Sequence, residues 1–208
     1  MAKTAREARG APVASSLVIR DATERDIEAV QAVYAHHVLH GYGSFEESPP
    51  STAEMARRFA EVRARGLPYL IAELDGGVAG YSYAQPYRAR SAYRYSVEDS
   101  VYVAPRASGQ GVGQALLGLL VERCAALGLR QMVAVIGDSR NLPSIRLHER
   151  VGFVRAGVLA DIGFKRGRWI DSVLMQRALG PGSSRAPDGT GTGPAAGAAD
   201  WPAGRERR

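Results

Sequence analysis

The sequence predicts a three-layer α/β fold, with a central mixed β-sheet flanked by helices. Two observations carry that prediction. Strand-like and helix-like segments alternate in the order β-α-α-β-β-β-α-β-α-β-β, a mixture that a layered sheet accommodates. Near the middle, a strand runs into a glycine-rich turn and then an amphipathic helix, the local grammar of a β–α unit.

The elements follow in order. Leu17 to Arg20 reads as a short strand. Thr23 with Asp26 resembles a capping box, opening a helix with Ile27, Val30 and Tyr34 on one face. Ser51 with Glu54 opens a second, with Met55, Phe59 and Val62 inward and Gly66 beyond its end. Tyr69–Leu74 and Val78–Tyr87 are strands joined through Asp75-Gly76-Gly77, a hairpin signal, and Tyr95–Val103 is a third. A helix is expected from Gly111 to Leu127, where Val112, Leu116, Leu119, Leu120 and Leu127 recur at helical spacing and Gly128 stops it. Strand Gln131–Ile136, a helix from Leu142 to Val151 closed by Gly152, and an antiparallel pair, Phe153–Phe164 and Trp169–Gln176, complete the order.

The working domain is read as residues 17–179. Residues 1–16 and 180–208 are expected to be disordered, because segments rich in Gly, Pro, Ala and Ser bury too little surface to offset their ordering entropy. The formal net charge is +6, but the first sixteen residues carry a balance of +2 and the last twenty-nine +1. The +3 left to the domain is too little to argue for nucleic acid, and no aromatic-basic interleaving points there. No apolar run approaches the ~18 residues of a membrane span, and the N-terminus lacks the apolar core of a secretory signal. One cysteine, Cys124, cannot form an internal disulfide and fits a reducing cytoplasm; its place beside Leu120 and Leu127 reads as packing.

The segment from Val101 to Gly113 (VYVAPRASGQGVG) is the most informative. Glycines let a ligand approach the backbone, and the free N–H groups and dipole of a helix start form an anion site. No Gly-Lys-Ser/Thr triplet follows, so it is not a Walker loop. Gln114 stands where a dinucleotide fingerprint starting at Gly109 needs glycine or alanine. What remains is a phosphate site of another type or a ligand-free glycine turn.

Ser108 to Gly113, followed by Gln114-Ala115-Leu116-Leu117, resembles the pyrophosphate motif of the GNAT acetyltransferases, and Asn141 to Phe153 (NLPSIRLHERVGF) resembles their second signature. The stretches Pro86–Tyr93, Ser96–Val103, Ala134–Gly137 and Arg146–Glu149 are similar to the phosphinothricin and methionine-sulfoximine N-acetyltransferases, a resemblance extending from Ile19 to Leu179. Ser108 and Gln110 depart from the motif's usual Arg/Gln and basic positions. The resemblance implies a GNAT-type fold, acetyl-CoA as co-substrate, no metal, a small amino-acid-like amine acceptor and a homodimer. It places acetyl-CoA against Val101, Tyr102, Val103, Ser108, Gly109, Gln110, Gly111, Val112, Gly113 and Gln114, with Asn141 and Ser144 along the CoA arm.

Acetyl transfer to an ammonium needs a base. Strand alternation sets Ser96, Glu98, Ser100 and Tyr102 on one face and Val97, Val101 and Val103 on the other, which makes Glu98 either that base or a solvated surface glutamate. Ser144 and His148 share a helix face. In the resembling subgroup a histidine stands where other GNAT enzymes have the tyrosine that protonates the CoA sulfur, so His148 is expected to donate to sulfur or to assist Glu98. Backbone N–H groups near Tyr102 and Val103 are the expected oxyanion donors. The resemblance assigns Phe45, Arg88, Arg90, Tyr93, Tyr102, Val135 and Gly137 to the acceptor pocket, where arginine forks suit carboxylate, phosphinate or sulfone oxygens. Two other classes of reading stay open: acetylation of another amine, such as a protein N-terminus, and a non-catalytic acyl-CoA-binding module. His36, His37 and His40 lack a further metal ligand.

Overall fold

The computed structural model describes residues 16–187. Seven strands form one mixed sheet in the order β1-β2-β3-β4-β5-β7-β6. They are β1 (Leu17–Asp21), β2 (Tyr69–Leu74), β3 (Gly77–Pro86), β4 (Ser96–Val103), β5 (Gln131–Gly137), β6 (Val154–Lys165) and β7 (Arg168–Ala178). Four helices interleave with them: α1 (Ile27–His40), α2 (Thr52–Ala64), α3 (Val112–Ala126) and α4 (Leu142–Arg150). The element order is the expected one, with strand and helix ends shifted by one or two residues.

Capping chemistry fixes where the helices begin. The Asp26 carboxylate accepts from the Thr23 backbone N–H at 2.7 Å, closing a 3-10 turn ahead of α1. Ser51 accepts from the Glu54 N–H at 3.2 Å and starts α2. Asp75 and Gly76, with φ of 52° and 80°, make the tight β2–β3 turn that Asp-Gly sequences favour.

Alternation along β3 sorts the layers. At Gly80 a Cβ would meet Leu116 of α3, whereas Tyr81 turns the other way, stacking on Tyr102, whose ring meets Tyr34 of α1 edge-on. Thus α1 and α2 cover one face and α3 the other. Leu70, Ile71, Leu116, Leu117, Leu120 and Met175 are fully buried in the core. Each such leucine contributes about 1.5–3 kcal/mol of apolar burial. Cys124 is buried there too, its thiol pushed up to about 12 by burial and then by the charge of Asp99.

Two features position the site. β4 pairs in parallel with β5 only over Ser96–Glu98, opposite Gln131–Val133, while its pairing with β3 continues to Val103. Beyond Glu98 the sheet therefore forks between β4 and β5. β6 is the other feature, an edge strand exposed along most of its length.

Residues 180–187 form turns after β7: Gly182 N–H donates to the Leu179 carbonyl at 2.9 Å and, within the segment, Ser184 N–H to the Pro181 carbonyl at 3.1 Å. Gly180 and Gly182 take positive φ there. Residues 1–15 and 188–208 lie outside the described residues.

Candidate active site

A cleft of about 1910 Å³ opens at the β4–β5 fork. One wall is the start of α3. Gly109 and Gly111 take φ of +76° and +80°, the left-handed region that glycine occupies without strain. The first helical bond runs from Ala115 N–H to the Gly111 carbonyl at 3.0 Å, so the N–H groups of Val112, Gly113 and Gln114 precede the ladder and remain open. With the positive end of the α3 dipole, these donors suit a diphosphate. Arg106 is turned away to the Val78 carbonyl at 2.8 Å, leaving the cradle to the backbone.

Ser108, Gly109, Gly111, Val112, Gly113 and Gln114 all line the cleft. Gln110 does not. Its amide donates to the Arg106 carbonyl at 2.9 Å and braces the turn from outside, because the left-handed residues flanking it point its side chain outward.

β4 supplies the floor. Ala104 N–H donates to Ala79 on β3 at 2.8 Å; by alternation Tyr102 also points its N–H to β3, while Val101 and Val103 point theirs to the open edge. The oxyanion donors expected near Tyr102 and Val103 reduce on this geometry to Val101 and Val103. Tyr102 contributes its ring instead. The Val103 carbonyl meets His37 Nε2 at 2.9 Å, and burial draws the His37 pKa down. His36 and His40 contact each other through their rings. Among the described residues no cluster of three or more His, Cys, Asp or Glu side chains is placed to hold a metal ion.

Glu98 sits on the α1 face of β4, half buried. Gln85 donates to its Oε1 at 3.3 Å. Burial raises the Glu98 pKa above its ordinary value; the Gln85 bond and the nearby Arg88 guanidinium pull the other way without reversing it. Arg88, Arg90 and Tyr93 line the same mouth, all exposed, with Tyr93 edge-on to Tyr87. Phe45, Val135 and Gly137 close the far side. A Cβ on Gly137 would overlap the Tyr42 carbonyl, so only glycine admits this approach of the 41–46 loop.

Asn141 caps α4, its Oδ1 accepting from Ser144 N–H at 3.3 Å. The cap fixes the turn that carries Ser144 and His148, both lining the cleft. His148 does not meet Glu98. Its Nε2 lies 3.0 Å from Asp99 Oδ2 and its Nδ1 2.7 Å from the Ser144 carbonyl, with Phe153 edge-on to the ring. Assistance to Glu98, one expected role of His148, is not what this geometry provides: consecutive strand residues face opposite sides, and His148 stands on the side of Asp99.

Sequence reasoning missed Asp99 and the polar wall opposite it. Tyr34 Oη lies 2.8 Å from Ser44 Oγ and donates to Glu46 at 3.1 Å, while Arg58 donates to Glu46 at 2.6 Å. Asp99 did leave a signal, as an acid at an alternating position among valines. The Tyr34–Glu46–Arg58 contacts span separate elements and left none.

A family profile described as an acetyltransferase (GNAT) domain matches residues 19–174. The chain belongs to the GNAT acetyltransferase family. This GNAT chain is 54% identical over 170 residues to the phosphinothricin N-acetyltransferase of Alcaligenes faecalis, spanning 82% of this chain and 86% of that protein. It is 37% identical over 166 residues to the L-methionine sulfoximine/L-methionine sulfone acetyltransferase of Salmonella typhimurium, spanning 78% and 95%. Its fold matches a crystal structure of a GNAT superfamily phosphinothricin acetyltransferase from Sinorhizobium meliloti in complex with AcCoA. That likeness has a TM-score of 0.80 at 47% identity, over 82% of this chain and 92% of that one.

Proposed function

We propose that this GNAT chain transfers the acetyl group of acetyl-CoA to the amino group of a small amino-acid-like acceptor of the phosphinothricin or methionine sulfoximine kind. One observation carries the reading: an open diphosphate cradle at Gly109–Gly113 and a half-buried Glu98 with a raised pKa face one cleft, at the point where β4 leaves β5.

In this reading Glu98 takes a proton from the acceptor's ammonium. The freed amine attacks the thioester carbon, forming the C–N bond, and the N–H groups of Val101 and Val103 receive the developing oxyanion. The C–S bond breaks and its electron pair leaves with the sulfur; the nitrogen, now bonded to the acetyl carbon, gives up its second proton to cleft water, and the thiolate takes one up from the same water. Arg88 lies close enough to Glu98 to oppose its raised pKa, a spacing that suits an acceptor bearing an anionic group beside its amine. Arg90 and Tyr93 extend that anionic subsite, and Phe45, Val135 and Gly137 bound the acceptor side chain. Asn141 and Ser144 flank the CoA arm.

The names of the relatives support the acceptor class, and the single buried cysteine together with acetyl-CoA as co-substrate supports a cytoplasmic setting. A homodimer is part of the same reading. β6 is a sheet edge whose Val158, Leu159, Ile162 and Phe164 are exposed together with Trp169 on β7, and a second copy of the chain would cover them.

The test is release of free thiol from acetyl-CoA across a panel of phosphinothricin, methionine sulfoximine, methionine sulfone, common amino acids and a peptide N-terminus. Turnover with the first group is expected. Turnover with the peptide alone would move the acceptor to proteins, and binding of acetyl-CoA without turnover of any amine would leave only a binding module.

A further inference from the structure

The geometry points to a second carboxylate at the site: we propose that Asp99 is a positioning residue that pins His148 across the β4–β5 fork and keeps its ring doubly protonated. The proposal rests on the acetyl-transfer reading for its consequence in catalysis, but not for its test.

Asp99 is the first residue of β4 beyond the last pair with β5, Glu98 with Val133. There the strand edge loses its neighbour, and His148 reaches across from α4. The two side chains are only 2% and 3% exposed. The Ser144 carbonyl can only accept, so His148 Nδ1 carries hydrogen. An ionised Asp99 also only accepts, so Nε2 carries hydrogen as well, and the ring is an imidazolium. Moving the shared proton onto Asp99 leaves the number of protons in the pair unchanged. Removing it would set a carboxylate against a ring lone pair in a buried site, where Asp99 Oδ1 already has no hydrogen-bond partner.

The remaining groups around the pair leave that balance in place. Cys124 approaches from α3 with its thiol held neutral, and Phe153 offers only a ring edge; Glu98, on the opposite face of β4, feels the Asp99 charge, and a carboxylate there favours keeping the shared proton. Burial draws the His148 pKa down, but the hydrogen bond and charge of Asp99, aided by the Ser144 carbonyl, carry it above the ordinary histidine value.

The consequence is a division of labour. A ring already carrying both protons has no lone pair to offer the acceptor, so the base is Glu98. Both ring N–H groups are engaged, Nδ1 with the Ser144 carbonyl and Nε2 with Asp99, so the departing sulfur takes its proton from cleft water and the pair acts by holding α4 against the fork.

The test is a pH titration of 15N-histidine-labelled protein by NMR, without substrate. Both ring nitrogens of His148 are expected to be protonated at pH 7, with titration above the ordinary histidine range. Asp99→Asn, the same shape without the charge, is expected to lower that titration by about one unit. It is also expected to cut kcat about tenfold at pH 8 and less at pH 6, with KM for acetyl-CoA unchanged. A singly protonated His148 at pH 7 in the unsubstituted protein overturns the proposal, and needs no variant to fold. So does an Asp99→Asn titration that has not moved. A chain that acetylates no amino acid would end the functional reading and leave the titration to stand by itself.

Discussion

Glu98 and Asp99 are adjacent in the chain and face opposite sides of β4, Glu98 toward Gln85 and Arg88, Asp99 into His148. In the proposed reaction the acceptor's proton leaves on the Glu98 side of the strand, while the Asp99–His148 pair borders the other. The fork begins at this dipeptide, where β4 leaves β5.

For Glu98→Gln we expect kcat to fall by about 10²–10⁴ without loss of acetyl-CoA binding. The base must be ionised, so activity in the unsubstituted enzyme is lost as pH falls through the Glu98 pKa. Because that pKa is raised above 4.5, the loss should begin at higher pH than for a solvated glutamate. A pH–rate profile checks both statements, and unchanged turnover in the variant would return Glu98 to a surface role.

Gly111→Ala should act through the backbone. Nothing lies within 4 Å of the added Cβ, yet φ is +80°, where an L-residue is strained by about 1–2 kcal/mol. The turn is expected to relax and tilt the open N–H groups, raising KM for acetyl-CoA about tenfold with little change in the acceptor's KM. Isothermal titration with CoA reads this directly; equal effects on both substrates would mean that the turn does not act on the diphosphate alone.

Much of this was legible because it is local. Capping at Thr23 and Ser51, the Asp75-Gly76 turn and the apolar period of α3 each follow from a few neighbouring residues, and the structure realises all of them. The candidate site residues gather in one cleft for the same reason, since most sit in the β4–α3 and β5–α4 segments. The outward turn of Gln110 was not legible because strand or helix alternation does not apply between two left-handed glycines. Asp99 as the partner of His148 was not legible because side-chain period 2 says which face a residue takes but not which helix covers that face. The Tyr34–Ser44–Glu46–Arg58 wall depends on how α1, α2 and a loop meet, which no single segment encodes.

Arg20→Ala should reveal an acid-sensitive clamp away from the cleft. Arg20 donates to both Asp26 oxygens, at 2.8 and 2.6 Å, and to Glu73 at 2.6 Å, and its hydrogen bond is the main reason the Asp26 pKa falls to about 2. Such a depressed carboxylate contributes stability that is present above its unfolded pKa and lost as pH falls through the folded one. Urea unfolding at pH 7 is expected to show a loss of about 1–2 kcal/mol in the variant. That difference should shrink between about pH 4 and pH 2. A difference independent of pH would mean that Arg20 acts by packing.

Ile162→Asp tests the pairing of two copies. Ile162 is 56% exposed on the edge strand, so the substitution costs the lone chain little. Light scattering should report a dimer for the unsubstituted protein and a monomer for the variant. A monomer in both would leave β6 an uncovered edge.

Gly137→Ala should separate the acceptor side from the cofactor side. The new Cβ would overlap the Tyr42 carbonyl, lie 3.0 Å from the Phe45 ring and 3.2 Å from the Gly43 Cα, so the 41–46 loop must move. That loop is otherwise well held: buried Lys165 donates to the Ser44 carbonyl at 2.7 Å, and Ser44 Oγ bonds Tyr34. Displacing it costs about 1–3 kcal/mol of stability, as overpacking does. It shifts Phe45 against the acceptor while leaving Gly109–Gly113 untouched. We therefore expect KM for the acceptor to rise at least tenfold and acetyl-CoA affinity to stay within about twofold, a split that steady-state kinetics in both substrates resolves. A parallel loss of acetyl-CoA affinity would place the 41–46 loop on the cofactor path, and an unchanged acceptor KM would remove Phe45 and Gly137 from the pocket.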